Sequence, residues 1–156
     1  METRTLPIPT VFDVAAYILE QAGEMTHMKL QKLVYYAQAW HLVWEEEPLF
    51  LEPIQAWING PVVPELFQAL KSKFKVSVGD VSGNLNRLDF PRIESIKGVL
   101  DYYGPKDSQY LSDLTHLEDP WKKARRGIPD SERGTREISH ASMAEYYSGL
   151  QSTNQA

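Results

Sequence analysis

Val11, Val14, Ala15, Ile18, Leu19 and Ala22 recur at the three- and four-residue intervals of an amphipathic helix, with Thr10 or Asp13 as its cap and Gly23 as its stop. A second, longer helix is predicted from Thr26 to about Glu45. Leu30, Leu33, Val34, Ala37, Trp40 and Trp44 repeat there at helical spacing with no Gly or Pro between them. Tyr35, Tyr36, Leu42 and Val43 widen this stripe until little but Gln38 and His41 is polar between Leu33 and Trp44. Such a helix has no solvent face to spare, so it should lie at the centre of the fold, packed on several sides.

Pro48 ends that helix, and the run from Leu49 to Leu66 reads as extended chain and turns, with Gly60-Pro61 a turn signal. Pro64-Glu65 suits the first turn of a third helix whose inward face is Leu66, Phe67, Leu70 and Phe74. Between Lys75 and Asp89, Val76 and Val78 alternate with polar residues ahead of Gly79, Asp80, Gly83 and Asn84, a pattern that fits a short hairpin or a mobile loop equally. Pro91 opens a helix carrying Ile93, Ile96, Val99, Leu100 and Tyr103, closed by Gly104-Pro105. A helix from about Asp107 to Leu117 should turn Tyr110, Leu111 and Leu114 inward, and Asp119-Pro120 should start another that carries Trp121 and Ala124. Gly127 to Glu137 is polar and punctuated by Gly and Pro, hence a loop, and Ser139 can cap a last helix through Leu150. The expected fold is mainly α, α+β at most: about six to seven helices bundled around the apolar helix at about 26–45, with one small extended or hairpin element. The expected organisation is an N-terminal arm over 1–10, a single domain over 11–150 and a C-terminal tail over 151–156.

Composition narrows the function. The 156 residues include four Trp and eight Tyr, which argues against disorder, and no Cys, which removes disulfide scaffolds, thiolate nucleophiles and Cys-ligated metals together. Sixteen Lys and Arg stand against 21 Asp and Glu, a formal net charge of -5, so the overall field repels nucleic acid and anionic lipid. The start, METRTLPIPT, lacks the apolar core of a signal peptide, and no apolar run approaches the roughly 18 residues of a membrane span. The expectation is a cytoplasmic protein with no membrane partner.

A search for catalytic chemistry returns little. There is no nucleophile elbow and no Gly-rich phosphate loop, and His27, His41, His116 and His140 include no pair at i, i+4, so neither catalytic residues nor a metal or cofactor site is predicted. His116 with Glu118 and Asp119 is the one local group resembling hard-ligand spacing, and a histidine at a helix end beside acids commonly serves as a cap. Two basic clusters stand out: Lys71, Lys73 and Lys75 around Phe74, and Lys122, Lys123, Arg125 and Arg126 beside Trp121. No nucleic-acid reader module accompanies them, whereas Trp, Tyr and Arg are the residue types that anchor protein interfaces.

Four ordered segments, Lys29 to Leu42 (KLQKLVYYAQAWHL), Ala56 to Phe67 (AWINGPVVPELF), Thr115 to Arg125 (THLEDPWKKAR) and Ile138 to Gly149 (ISHASMAEYYSG), resemble the Panacea domain of SocA-like and phage-associated GepA-type antitoxins. The resemblance runs from about Val11 to Leu150. It implies a compact helical domain that binds and neutralises a cognate protein toxin encoded beside it, and some members carry an added DNA-binding domain for which this chain has no residues left over. The family's motif residues map onto Lys29, Leu30, Lys32, Leu33, Tyr35, Trp57, Gly60, Pro61, His116 and Trp121, of which Leu30 and Leu33 lie on the helical stripe and Gly60 and Pro61 look like turn makers. Lys29, Lys32, Trp57, His116 and Trp121, with Tyr36, are the expected partner-binding residues. Direct masking of the toxin is the leading expectation. The alternatives are an adaptor that presents the toxin to an AAA+ protease, an enzymatic antitoxin using His116 and Glu118, and a nucleic-acid binder; a homo-oligomer stays open.

Overall fold

In the computed structural model, which describes residues 7–155, helix α2 (His27–Glu45) is the element on which the others pack. Its apolar residues Leu30, Leu33, Val34, Tyr35, Tyr36, Ala37, Ala39 and Leu42 are all buried, and they point to several sides rather than one. Helices α1 (Val11–Ala22), α4 (Phe90–Tyr103), α5 (Ser108–His116) and α7 (His140–Gln155) surround it, with the shorter α3 (Pro64–Leu70) and α6 (Asp119–Ala124) outside them. The protein is thus mainly α, with seven helices among the described residues. Strand β1 (Met25–Thr26) pairs antiparallel with β4 (Lys75–Val76), and β2 (Gln55–Trp57) forms a hairpin with β3 (Gly60–Val62).

Local chemistry explains the element ends. Thr10 caps α1 and Asp13 closes a capping box: the Asp13 amide donates to Thr10 Oγ1 (3.3 Å) and the Thr10 amide to Asp13 Oδ2 (2.8 Å). The second Asp13 oxygen accepts from the Asn84 amide at 2.6 Å, which pins the 77–89 segment to α1. Thr26 caps α2 by accepting from the Lys29 amide at 3.1 Å, and Asp89 and Asp107 cap α4 and α5 in the same way.

A helix buried on all sides leaves its own polar side chains nowhere to go but onto neighbouring backbone. Gln38 donates through Nε2 to the Phe50 carbonyl (2.6 Å) and accepts at Oε1 from the Leu49 amide (2.7 Å), so one amide side chain holds the 46–54 loop as a paired strand would. Leu49, Phe50 and Ile54 consequently enter the core. Gln31 repeats the device one stretch earlier, accepting from the Val63 amide at 2.9 Å.

Several expectations are corrected. Phe74 does not face inward: α3 ends at Leu70, and Phe74 lies in the following turn, 78% exposed. Tyr110 is also outward, because the phase of α5 turns Leu111, Ser112 and Thr115 to the core and leaves Tyr110 beneath the Lys106 ammonium, 4.9 Å from the ring centre. Trp44 is exposed at the last turn of α2 and stacks on Trp40. The turn of the β2–β3 hairpin is Ile58-Asn59; Gly60 and Pro61 lie in β3. The 75–89 segment is neither hairpin nor loose loop, since β4 joins β1 and two short 3-10 turns at 78–80 and 85–87 carry the rest. Helix α7 continues past Leu150 to Gln155, so most of the expected tail is helical. Most of the N-terminal arm expected over 1–10 lies outside the described residues.

Replacing Gln38 by Leu should keep the shape of the core but strand the Leu49 amide and the Phe50 carbonyl without partners. A loss of about 2–4 kcal/mol in urea unfolding is expected.

Candidate functional site

The carbonyl oxygens of residues 56 to 59, the hairpin's β2 end and turn, are each gripped by a side chain from α5, α6 or the residue after α6. Arg125 donates through NH1 to Ala56 (3.1 Å), and the Trp121 indole donates to Trp57 (2.7 Å). His116 presents Nε2 to Ile58 (2.8 Å), and the Ser112 hydroxyl donates to Asn59 (2.6 Å). His116 turns its other nitrogen to the Ser112 carbonyl (2.5 Å), and its ring meets Trp121 edge-on at 4.1 Å. Arg125, buried beside the Trp121 ring, also reaches the Pro129 and Glu132 carbonyls and so holds the 127–137 loop. Residues 136–138 in turn pair with the outer edge of β2, through Ala56 to Arg136 and Ile138 to Ile54. The spacing from Ser112 to Arg125 thus encodes a clamp on the hairpin backbone.

A second polar group lies deeper. Tyr36 and Tyr147 both donate to Glu118 Oε1 at 2.7 Å, and Tyr35 meets Tyr147 at 3.0 Å. Tyr36 stacks on Tyr103 with ring centres 4.0 Å apart, and Trp40 donates to the Tyr103 hydroxyl at 3.0 Å. Burial raises the Glu118 carboxyl above its ordinary range, partly offset by the two phenol donors. Burial, with Glu118 adding to it, holds Tyr36 far above the ordinary phenol value. This network joins α2, α4, the start of α6 and α7, and the hydroxyls of Tyr35, Tyr36, Tyr103 and Tyr147 are all engaged inside the protein.

Most of the expected partner-binding residues therefore sit within the framework. Tyr36 and Lys32 are fully buried and Trp121 is 3% exposed. Lys29 is half-buried, its ammonium donating to the Gly104 carbonyl (2.6 Å) at the end of α4. His116 is half-buried in the clamp. Trp57 alone among the six lines an open groove. Ser112, Glu118 and Arg125 were not among the six; the i, i+4 step from Ser112 to His116 and from Trp121 to Arg125 is the sequence signal that groups the clamp.

The groove, about 950 Å³, opens between the first turns of α2 and α5, the hairpin turn, the Lys73-Phe74 turn and residues 133–135. Its apolar wall includes Met28, Trp57, Val62, Phe67 and Phe74, with Trp57 packed edge-on against Phe67. Lys73 and Arg133 are its only charged lining residues apart from His27, whose pKa burial lowers, with Lys32 contributing; no Asp or Glu lines it. Lys32 lies behind this wall. Gly60, at φ +119°, makes room for it: a Cβ there would fall 2.6 Å from Lys32 Cε and 2.8 Å from Thr115 Oγ1. The Lys32 ammonium has one hydrogen-bond partner, the Met28 sulfur at 3.3 Å, and desolvation lowers its pKa from 10.5 to about 7.

No group of three or more His, Asp or Glu that could hold a metal occurs among the described residues, and no described helix is long and apolar enough to cross a membrane. The architecture is that of a helical scaffold with an open, acid-free groove. Residues 30–122, well over half of the chain, match the family model described as antitoxin SocA-like, Panacea domain, and the chain belongs to that family. No curated protein and no solved structure gives a match.

Between pH 7 and 10.5 the unfolded chain holds a proton on Lys32 that the folded protein has released, so this residue's cost to stability is greatest below pH 7 and fades as the pH rises toward 10.5. Lys32→Met, of similar shape and uncharged, should therefore raise the Tm most at or below pH 7, with the gain shrinking on the way to pH 10. Thermal melts of the two proteins across that range check it.

Proposed function

We propose that this chain is an antitoxin that neutralises a cognate protein toxin in the cytoplasm by binding it directly and covering its working surface, with no bond made or broken. Membership of the SocA-like antitoxin family carries the reading. Two features support binding over catalysis. Both nitrogens of His116 face backbone carbonyls, and Glu118 Oε1 is occupied by two phenols within the core, so the pair expected for an enzymatic antitoxin has structural work instead. The open groove with its aromatic wall offers the kind of surface in which interface anchors seat. Masking requires about 1,600 Å² of total buried area, more than the groove alone supplies, so the contact extends onto its rim.

Of the two basic clusters, that around Trp121 is depleted by the structural commitment of Arg125, while Lys71, Lys73 and Lys75 remain exposed around Phe74. The basic residues beside the groove thus favour an acidic protein partner.

Co-expression with the product of the adjacent gene, scored for growth, co-purification and toxin level in the same samples, tests the reading. Rescue with an undiminished toxin held in a stable complex is expected. Rescue accompanied by loss of the toxin would instead identify an adaptor for a protease, and no rescue would remove the antitoxin role.

A further inference from the structure

Lys32 is an unusual group to find where it is. Its side chain is fully buried, no carboxylate of the described residues lies within 4.0 Å of its ammonium, and a thioether sulfur is a weak acceptor for a group with three donors. Burying an unpaired charge is costly, and an apolar side chain would fill the space under Gly60 without that cost. The one residue that contacts the amine through a hydrogen bond, Met28, lines the groove and is 37% exposed. Gln31, Asn59 and Ser112, neighbours in sequence or space of the residues around the amine, line it as well.

The groove itself is suited to an anion. In a chain with 21 acidic and 16 basic residues, its lining contains Lys73 and Arg133 and no carboxylate, although Lys73 also pairs with Asp80 at 3.3 Å. Two helices begin at it, α2 with Thr26 to Met28 and α5 with Ser108 and Gln109, and the positive ends of both therefore lie at its wall. Phe74, almost wholly exposed at the rim, and Trp57 and Phe67 behind it give an apolar side chain somewhere to pack beside the charge.

Resting on the antitoxin reading, we propose that this groove is the toxin's docking site, and that it takes a toxin segment carrying an Asp or Glu beside an apolar anchor. The Met28 thioether swings aside, the incoming carboxylate pairs with the Lys32 ammonium, and the anchor packs against Phe74 and Trp57. Burial has already drawn the amine's pKa down to about 7, and a carboxylate beside it favours the ammonium form again. Lys32 is thus an unsatisfied donor in the free protein and a partnered one in the complex. Its cost to stability is recovered on binding.

The test uses the full chain, the product of the adjacent gene and overlapping synthetic peptides that tile that product. Lys32→Met should fold at least as stably as the parent yet bind the toxin about tenfold or more weakly, and Phe74→Ala should weaken binding several-fold. Tyr102→Ala, on the outer face of α4, should leave it unchanged. Among the peptides, those that bind should contain Asp or Glu, and replacing that residue by Asn or Gln should cost affinity for the parent but little further for Lys32→Met. Binding by Lys32→Met within about twofold of the parent, or additive losses in that cycle, would overturn the docking site while leaving the antitoxin role standing. Absence of rescue and binding by the unsubstituted chain would instead bring down the antitoxin reading, and this site with it.

Discussion

The burial of α2 on all sides is the constraint from which the rest of the structure follows. A helix in that position satisfies its own backbone internally, but every polar side chain on it must find a partner within reach or leave an unsatisfied group in the core. Gln31 and Gln38 meet this demand by holding the 63 and 49–50 backbone segments and Tyr36 by donating to Glu118, whereas His41 meets it with one nitrogen only: Nδ1 lies 2.7 Å from the Ser95 hydroxyl while Nε2 is buried without a partner. The surrounding loops are consequently ordered by α2 rather than by their own secondary structure. Lys32 is the charged member of this set, and its one partner is a thioether sulfur.

The clamp on residues 56–59 extends the same logic to the hairpin. Two three-residue strands are too short to be stable alone, so their position depends on what grips them from outside. Four side-chain donors on four consecutive carbonyls, with residues 136–138 on the far edge, fix the hairpin against α5 and α6. That in turn sets one wall of the groove. The Thr115 to Arg125 segment thus shapes the groove from behind, chiefly through Trp121 and Arg125, which barely touch solvent.

Periodicity made the helices legible, because an apolar stripe at helical spacing reports which face must leave water whatever the partner. The capping pair Thr10 and Asp13 and the first-turn prolines Pro64, Pro91 and Pro120 were legible for a similar reason, since each acts within one helical turn. A lysine inside a helix reads as a surface group, and the burial of Lys32 depends on Gly60 and Thr115, which lie far away in the chain and approach it only once the hairpin is seated on α5. Phe74 misled in the opposite sense, an aromatic that continues a helical stripe on paper but follows a helix that stops at Leu70.

The sequence by itself determined the mainly helical class, the central position of the 27–45 helix and the absence of thiol chemistry, since composition and local spacing carry these without reference to distant residues. Only the tertiary structure decided which of Lys29, Lys32, Tyr36, Trp57, His116 and Trp121 face a groove and which hold the framework. Burial and hydrogen-bond partnership are properties of residues brought together from far apart along the chain. The Ser112, His116, Trp121 and Arg125 donors acquire their common role only because four successive hairpin carbonyls arrive opposite them.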